Sequence, residues 1–204
     1  APTVALARCR LTRRQFQCLW VSARVKATNG VRGAEFRHGL DQGETGETGG
    51  DARRFDALGA DVSKAADCEQ AVRATIERFG QLDAVVHCAA IHSSRFWTDL
   101  SAEEFERVLS VNVVGSFLIA QAAARAMMPR GRGSLVMTAS TSVLIGAMGG
   151  PSGSGGPAYV SSKAAITGLV RQLREIASTA FAEWPTRFTA ARSFAGVTLN
   201  FRDQ

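Results

Sequence analysis

An α/β protein built on a doubly wound parallel sheet is what this sequence predicts, and three observations predict it. From about Asp56 onward, apolar runs of strand length alternate with stretches of helical period. Two of those runs, Leu82–Ala90 and Leu135–Ala139, are nearly continuous in apolar residues, as strands buried on both faces of a parallel sheet are. Asp61, Ala89, Ala90 and Ser140 all fall at the carboxyl ends of predicted strands, the edge where such sheets hold their ligands.

The elements follow in order. Residues 1–57 carry the weakest pattern: Val4-Ala5-Leu6 predicts a short strand, and Phe16 to Val25 is apolar without a clean period. Asn29 to Gly50 is turn-rich, and Gly43–Gly50 resembles a low-complexity loop. That loop makes a poor phosphate cradle, because it opens no helix and its two Glu repel an anion. Ala57–Val62 then predicts a strand end, with Ser63 as a helix N-cap. Val72, Ile76 and Phe79 mark one face of the following helix, which Gly80 terminates. Ser101-Ala102-Glu103-Glu104 forms a capping box ahead of a long helix with Phe105, Val108 and Leu109 inward. Pro129, Gly131 and Gly133 stop that helix, and the strand Leu135–Ala139 delivers Ser140. A glycine-dense loop follows, then a helix through Ala164 to Ile176 with Tyr159 at its head.

Composition narrows the class. A chain of 204 residues with 46% apolar and 21% charged residues predicts one domain, 1–204, with a substantial core. The net charge of +6 is concentrated at the front, where 10 basic and 6 acidic residues in 1–60 leave +4. Arg8, Arg10, Arg13 and Arg14 carry no interleaved aromatic residues or recognised motif, so a nucleic-acid arm is not predicted. Cys9, Cys18, Cys68 and Cys88 lack metal-ligand or disulfide-scaffold spacing and read as reduced thiols, which predicts a cytoplasmic protein. No signal pattern opens the chain, and Val108–Met128 is interrupted by Asn112, Gln121 and Arg125, as a buried helix is and a membrane span is not.

The chemistry concentrates in Ala158-Tyr159-Val160-Ser161-Ser162-Lys163. Tyr159 is the only tyrosine, and Lys163 is one of three lysines. Four residues apart on a helix, their side chains stack on one face. An ammonium beside a phenol favours the phenolate, so the pair is a usable proton donor or acceptor at about pH 7. A surface tyrosine with a solvated lysine would share the spacing, so the upstream residues decide.

Those upstream residues give 58–175 a resemblance to the short-chain dehydrogenase/reductase family. Asp61-Val62 matches the pair that holds the adenine ring. Asn112, in Ser110-Val111-Asn112-Val113-Val114-Gly115, matches the active-site asparagine; Ser140 matches the catalytic serine, and Tyr159 with Lys163 the Y-x-x-x-K pair. The resemblance implies a Rossmann-like fold, NAD or NADP as cofactor, and hydride transfer between nicotinamide and a secondary alcohol or ketone. It implies that Tyr159 exchanges the proton and that Ser140 hydrogen-bonds the substrate oxygen. Lys163 would bind the nicotinamide ribose, and Asn112 would hold a water linking Lys163 to solvent. Cys88, Ala89 and Ala90 would border the cofactor, and Arg37 leans toward the phosphorylated form. The expected partners are a small alcohol or carbonyl substrate and a second copy in a homo-oligomer, with no membrane and no nucleic acid.

Three departures qualify the resemblance. The family's opening T-G-x-x-x-G-x-G is missing; Thr12–Leu19, where it should lie, contains no glycine. The family's N-N-A-G reads His87-Cys88-Ala89-Ala90, and His87 is expected to be a packed core histidine. Beyond Arg174 the Pro-Gly turn is not legible, Ala195-Gly196 being nearest, and the C-terminal part reads as truncated. The insertion at 148–156 is expected to make a mobile, substrate-facing loop. Residues 1–57 and 177–204 are therefore the poorly matched parts. The alternative reading is a non-catalytic, cofactor-free relic acting as an interaction module.

Overall fold

The structure is a computed structural model, and it describes residues 3–11, 14–22, 55–146, 156–180, 186–190 and 196–201. Gly43–Gly50, Arg37 and most of the 148–156 insertion lie outside the described residues.

Seven strands form one sheet in the order β3-β1-β2-β4-β5-β7-β6. Its centre is parallel: β2 (Arg14–Ser22) pairs with β4 (Ala84–His87), and β4 with β5 (Gly133–Thr138). The flanks are antiparallel. On one side β1 (Thr3–Leu11) lies between β2 and β3 (Phe55–Gly59) and runs against both. On the other, β7 (Gly196–Phe201) runs against both β5 and β6 (Thr186–Ala190). Hence β3, β2, β4, β5 and β6 share one direction, and β1 and β7 are the reversed strands. The Rossmann-like α/β class holds around a parallel centre. The atypical first unit is an antiparallel pair joined across residues 12–13, a connection too short for the dozen or more residues a parallel crossover needs.

Three helical connections cross between parallel strands. The first is α1 (Ala65–Phe79), between β3 and β4. The second, between β4 and β5, comprises α2 (Ala102–Leu109), a π-helical turn (Ser110–Val114) and α3 (Gly115–Met127). The third runs from β5 to β6 through a short α4 (Ser142–Ile145) and the 25-residue α5 (Gly156–Ala180). All three advance in the same direction along the sheet, so right-handed crossover puts the described helices on one face. Helix α1 packs on α3, and α2 on α5, as neighbours in one layer do. The strands agree: Val85, His87, Leu135 and Met137 are buried, while Ala84, Val86, Ser134 and Val136 alternate with them half-buried.

Local chemistry explains the helix ends. Ser101 Oγ accepts from the Glu104 amide at 3.2 Å, the N-cap half of the expected capping box, while Glu104 Oε2 accepts from Arg95 Nε at 3.0 Å. Gly80 ends α1 at φ +82°, where its amide reaches Ile76 O at 2.7 Å. The N-terminus of α1 corrects the expectation for Ser63. Lys64 occupies the cap position, and Ser63 instead donates from both Oγ (2.7 Å) and N (3.1 Å) to Asp61 Oδ1. An aspartate accepts more strongly than a hydroxyl, so it gathers the turn's donors. The inner face of α1 is Cys68, Ala71, Val72, Thr75 and Phe79. Ala102–Arg130 is long and apolar enough to cross a membrane by length and composition. Its buried Ile119, Ala120, Ala123 and Met127 belong to the same hydrophobic cluster as sheet residues Val85, Leu135 and Met137, as in a core helix.

Candidate active site

The site is assembled where β4 and β5 end and α5 begins. Strand β5 stops at Thr138, and its last carbonyl accepts from Lys163 Nζ at 2.8 Å. Lys163 is only 2% exposed, and burial of the ammonium pulls its pKa down from 10.5 to about 8. Its ammonium stands 5.6 Å from the centroid of the Tyr159 ring, so the two sequence-predicted partners share one helix face. Two residues past the strand, Ser140 Oγ accepts from the Ser142 hydroxyl at 2.8 Å and the Ser142 amide at 3.3 Å.

Asn112 sits in the π-helical turn and is fully buried. Its Oδ1 accepts from Ile91 N at 2.8 Å, and its Nδ2 donates to Ile91 O and to Ser162 Oγ, each at 2.9 Å. Ser162 Oγ in turn donates to Tyr159 O at 2.7 Å. Asn112 therefore brackets the loop after β4 to the first turns of α5. Both N–H donors of the amide are spent, and Asn112 O already accepts from Ser116 Oγ at 2.6 Å. The amide side chain thus braces the site, and Asn112 O, with a second lone pair beyond the Ser116 bond, is the acceptor that the expected water would use. A π turn sets extra backbone into a helix and commonly marks a functional site. Gly115 follows it because a Cβ there would meet Val62 Cγ2 at 2.8 Å and Val62 O at 3.2 Å.

The remaining predicted residues lie along the same sheet edge. Cys88 is exposed, Ala89 buried and Ala90 half-buried immediately after β4. Asp61 follows β3, its carboxyl held below 3.8 chiefly by the Ser63 hydroxyl, and Val62 is buried under Gly115. Three strand spacings, about 14 Å, separate β3 from β4, a distance an extended ligand can span. His87 is 2% exposed as a core residue, with neither Nδ1 nor Nε2 hydrogen-bonded among the described residues. Burial first, and the Lys163 charge second, lower its pKa from 6.5 to about 3.

Sequence reasoning missed four residues. Thr138 supplies the lysine's acceptor and donates its own hydroxyl to His87 O at 3.0 Å. Ser162 links Asn112 to α5, and its i+3 spacing from Tyr159 was the available signal. His92 sets its ring edge-on to Tyr159, centroids 6.4 Å apart. Ser142, readable only as a turn residue, holds Ser140.

Donor chemistry divides the fit to a pyridine dinucleotide in two. Around Lys163 the residues suit its nicotinamide ribose: a buried ammonium with further N–H donors, beside an exposed Cys88 and the small Ala90. At the diphosphate end they do not fit. Where a glycine turn would open a helix, Arg14–Ser22 is a strand, paired with β1 along its length and with β4 over Cys18–Val21, and extended backbone of this kind does not turn its successive amides onto one anion.

Comparison with known proteins bears on the family. A family model described as short chain dehydrogenase matches residues 39–180. "Short-chain dehydrogenase reductase 3a" of Arabidopsis thaliana is 33% identical over 173 residues, covering 83% of this chain and 63% of that protein. "Momilactone A synthase" of Oryza sativa subsp. japonica is 35% identical over 152 residues, 72% of this chain and 53% of its own. "2-(S)-hydroxypropyl-CoM dehydrogenase 3" of Xanthobacter autotrophicus is 35% identical over 116 residues, 57% of this chain and 43% of its own. The chain thus spans less than two thirds of the length of each of these relatives.

Proposed function

Because this chain belongs to the short-chain dehydrogenase family, we propose that it is an NAD(P)-dependent oxidoreductase acting on a secondary alcohol or ketone. One observation carries the reading: the buried Lys163 ammonium, fixed on Thr138 O, faces the Tyr159 ring two residues from Ser140 on the same strand end. A bound nicotinamide would supply or accept the hydride. The chain's own residues handle the proton. Tyr159 exchanges it with the substrate oxygen, and Lys163 supports the charge that then forms on the phenol. Ser140 donates a hydrogen bond to that oxygen and fixes its distance from Tyr159. Asn112, through Ser162 and Ile91, keeps α5 and the loop after β4 in register. Exposed Leu144 and Ile145, four and five residues past Ser140, favour an apolar carbonyl substrate.

The test is titration with NADH and with NADPH, read by nicotinamide fluorescence, followed by turnover of Tyr159→Phe. Binding of either nucleotide with loss of turnover in the variant is the expected result; full activity in Tyr159→Phe removes the tyrosine from the mechanism. A second reading is favoured by β2 standing where the phosphate turn belongs. On it, the chain is a cofactor-free relic serving as an interaction module, and neither nucleotide binds.

A further inference from the structure

We propose that Ser142 is a positioning residue that makes Ser140 a one-directional hydrogen-bond donor; the inference rests on the reading above, in which Ser140 meets the substrate oxygen. A serine hydroxyl has one hydrogen and two lone pairs. Ser142 addresses Ser140 Oγ twice, by its hydroxyl at 2.8 Å and its amide at 3.3 Å, which fills both lone pairs. The only function left to Ser140 is to give away its own hydrogen, and accepting two bonds strengthens that donation.

The arrangement is built into the turn. Val143 N bonds Ser140 O at 3.2 Å, and Leu144 N bonds Thr141 O at 2.9 Å, so the backbone between residues 140 and 144 is coiled into α4. Ser142 is 9% exposed, which keeps solvent from competing for its hydroxyl. Without it, the Ser140 hydroxyl could turn to accept from Tyr159 and leave the substrate oxygen with one donor instead of two. An aligned donor in a preorganised site is worth about a hundredfold or more in rate. Loss of its alignment alone should therefore cost about tenfold, in kcat and not in KM.

The experiment compares carbonyl reduction by wild type, Ser142→Ala, Ser142→Thr, Ser140→Ala and the double alanine variant, with the Ser142 amide followed by hydrogen exchange. Expected are a roughly tenfold fall in kcat for Ser142→Ala at unchanged KM, and recovery in Ser142→Thr, which keeps the hydroxyl. No further loss is expected when Ser142→Ala is added to Ser140→Ala. Independently of cofactor and turnover, the Ser142 amide should exchange faster in Ser140→Ala, because it loses its acceptor. Full activity in Ser142→Ala, additive losses in the double variant, or an unchanged exchange rate would each overturn the proposal. Failure of the underlying reading looks different: Ser140→Ala and Tyr159→Phe would then match the wild type.

Discussion

His87 makes the protein acid-labile in a defined window, and the size of the effect can be worked out. The imidazole is 2% exposed with both ring nitrogens unpartnered among the described residues, and burial lowers its pKa from 6.5 to about 3. The unfolded chain therefore binds a proton below pH 6.5 while the folded protein stays neutral, so stability drops as pH falls from there toward about 3. At about 1.4 kcal/mol for each pH step, moving from about pH 7.5 to about pH 5 should cost about 2 kcal/mol. Asp61 does not contribute in that interval, because its depressed pKa keeps its stabilisation intact above 3.8. The perturbation is His87→Leu, similar in volume and without polar atoms. Removing two unsatisfied nitrogens should leave stability near neutrality unchanged or higher, and the acid loss between the two pH values should shrink by about 2 kcal/mol. Urea unfolding followed by circular dichroism at both pH values reads this directly. An identical pH dependence in wild type and His87→Leu would refute the reasoning, since a buried neutral imidazole could not then be the source.

Three further predictions follow from the same structure. Lys163 loses its proton in the folded state at about 8 and in the unfolded chain at 10.5. Stability should accordingly rise by about 3 kcal/mol between those values relative to Lys163→Met, as unfolding curves across that range would show. Gly115→Ala places a Cβ 2.8 Å from Val62 Cγ2; it should destabilise by about 1–3 kcal/mol through overpacking, read as a lower urea midpoint. Arg130 donates to Leu82 O at 2.7 Å, Gln81 Oε1 at 3.0 Å and Asp83 Oδ1 at 2.9 Å. Arg130→Ala should cost about 2 kcal/mol by chemical denaturation, with Arg130→Lys recovering only part because it lacks the planar fork.

The middle of the chain was legible because its signals are local. Ser101 and Glu104 encode a helix start within four residues, and Gly80 encodes a stop by itself. The periodic burial of Val72 and Phe79 needs only one helix and one core to satisfy it. The site residues Tyr159 and Lys163 were likewise legible, because four residues on a helix fix a shared face whatever surrounds them. Asn112 was singled out by its position in the chain order, but its hydrogen-bond partners were not readable. Its partners Ile91 and Ser162 lie 21 and 50 residues away, and no spacing rule connects an amide in a π turn to either.

What stayed illegible at the flanks has a single physical root. A parallel strand announces itself through the helix that must carry the chain back, so losing the helical period also loses the direction of the strand. Phe16–Val25 shows no clean period, and it contributes to β2, which is reached from β1 across two residues. Such a connection can only reverse the chain. The same happens between β6 and β7, five residues apart. Each reversal inserts one backward strand, β1 or β7, beside a parallel centre of β2, β4 and β5. The centre keeps its carboxyl ends together, so Thr138 at the end of β5 still meets both Cys88 and the Lys163 of α5. Thr12–Leu19, where the glycine turn is expected, holds no glycine and runs into β2 instead. A chain arranged this way can retain proton-handling geometry independently of dinucleotide grip, and that is why nucleotide titration and Tyr159→Phe turnover must be measured separately.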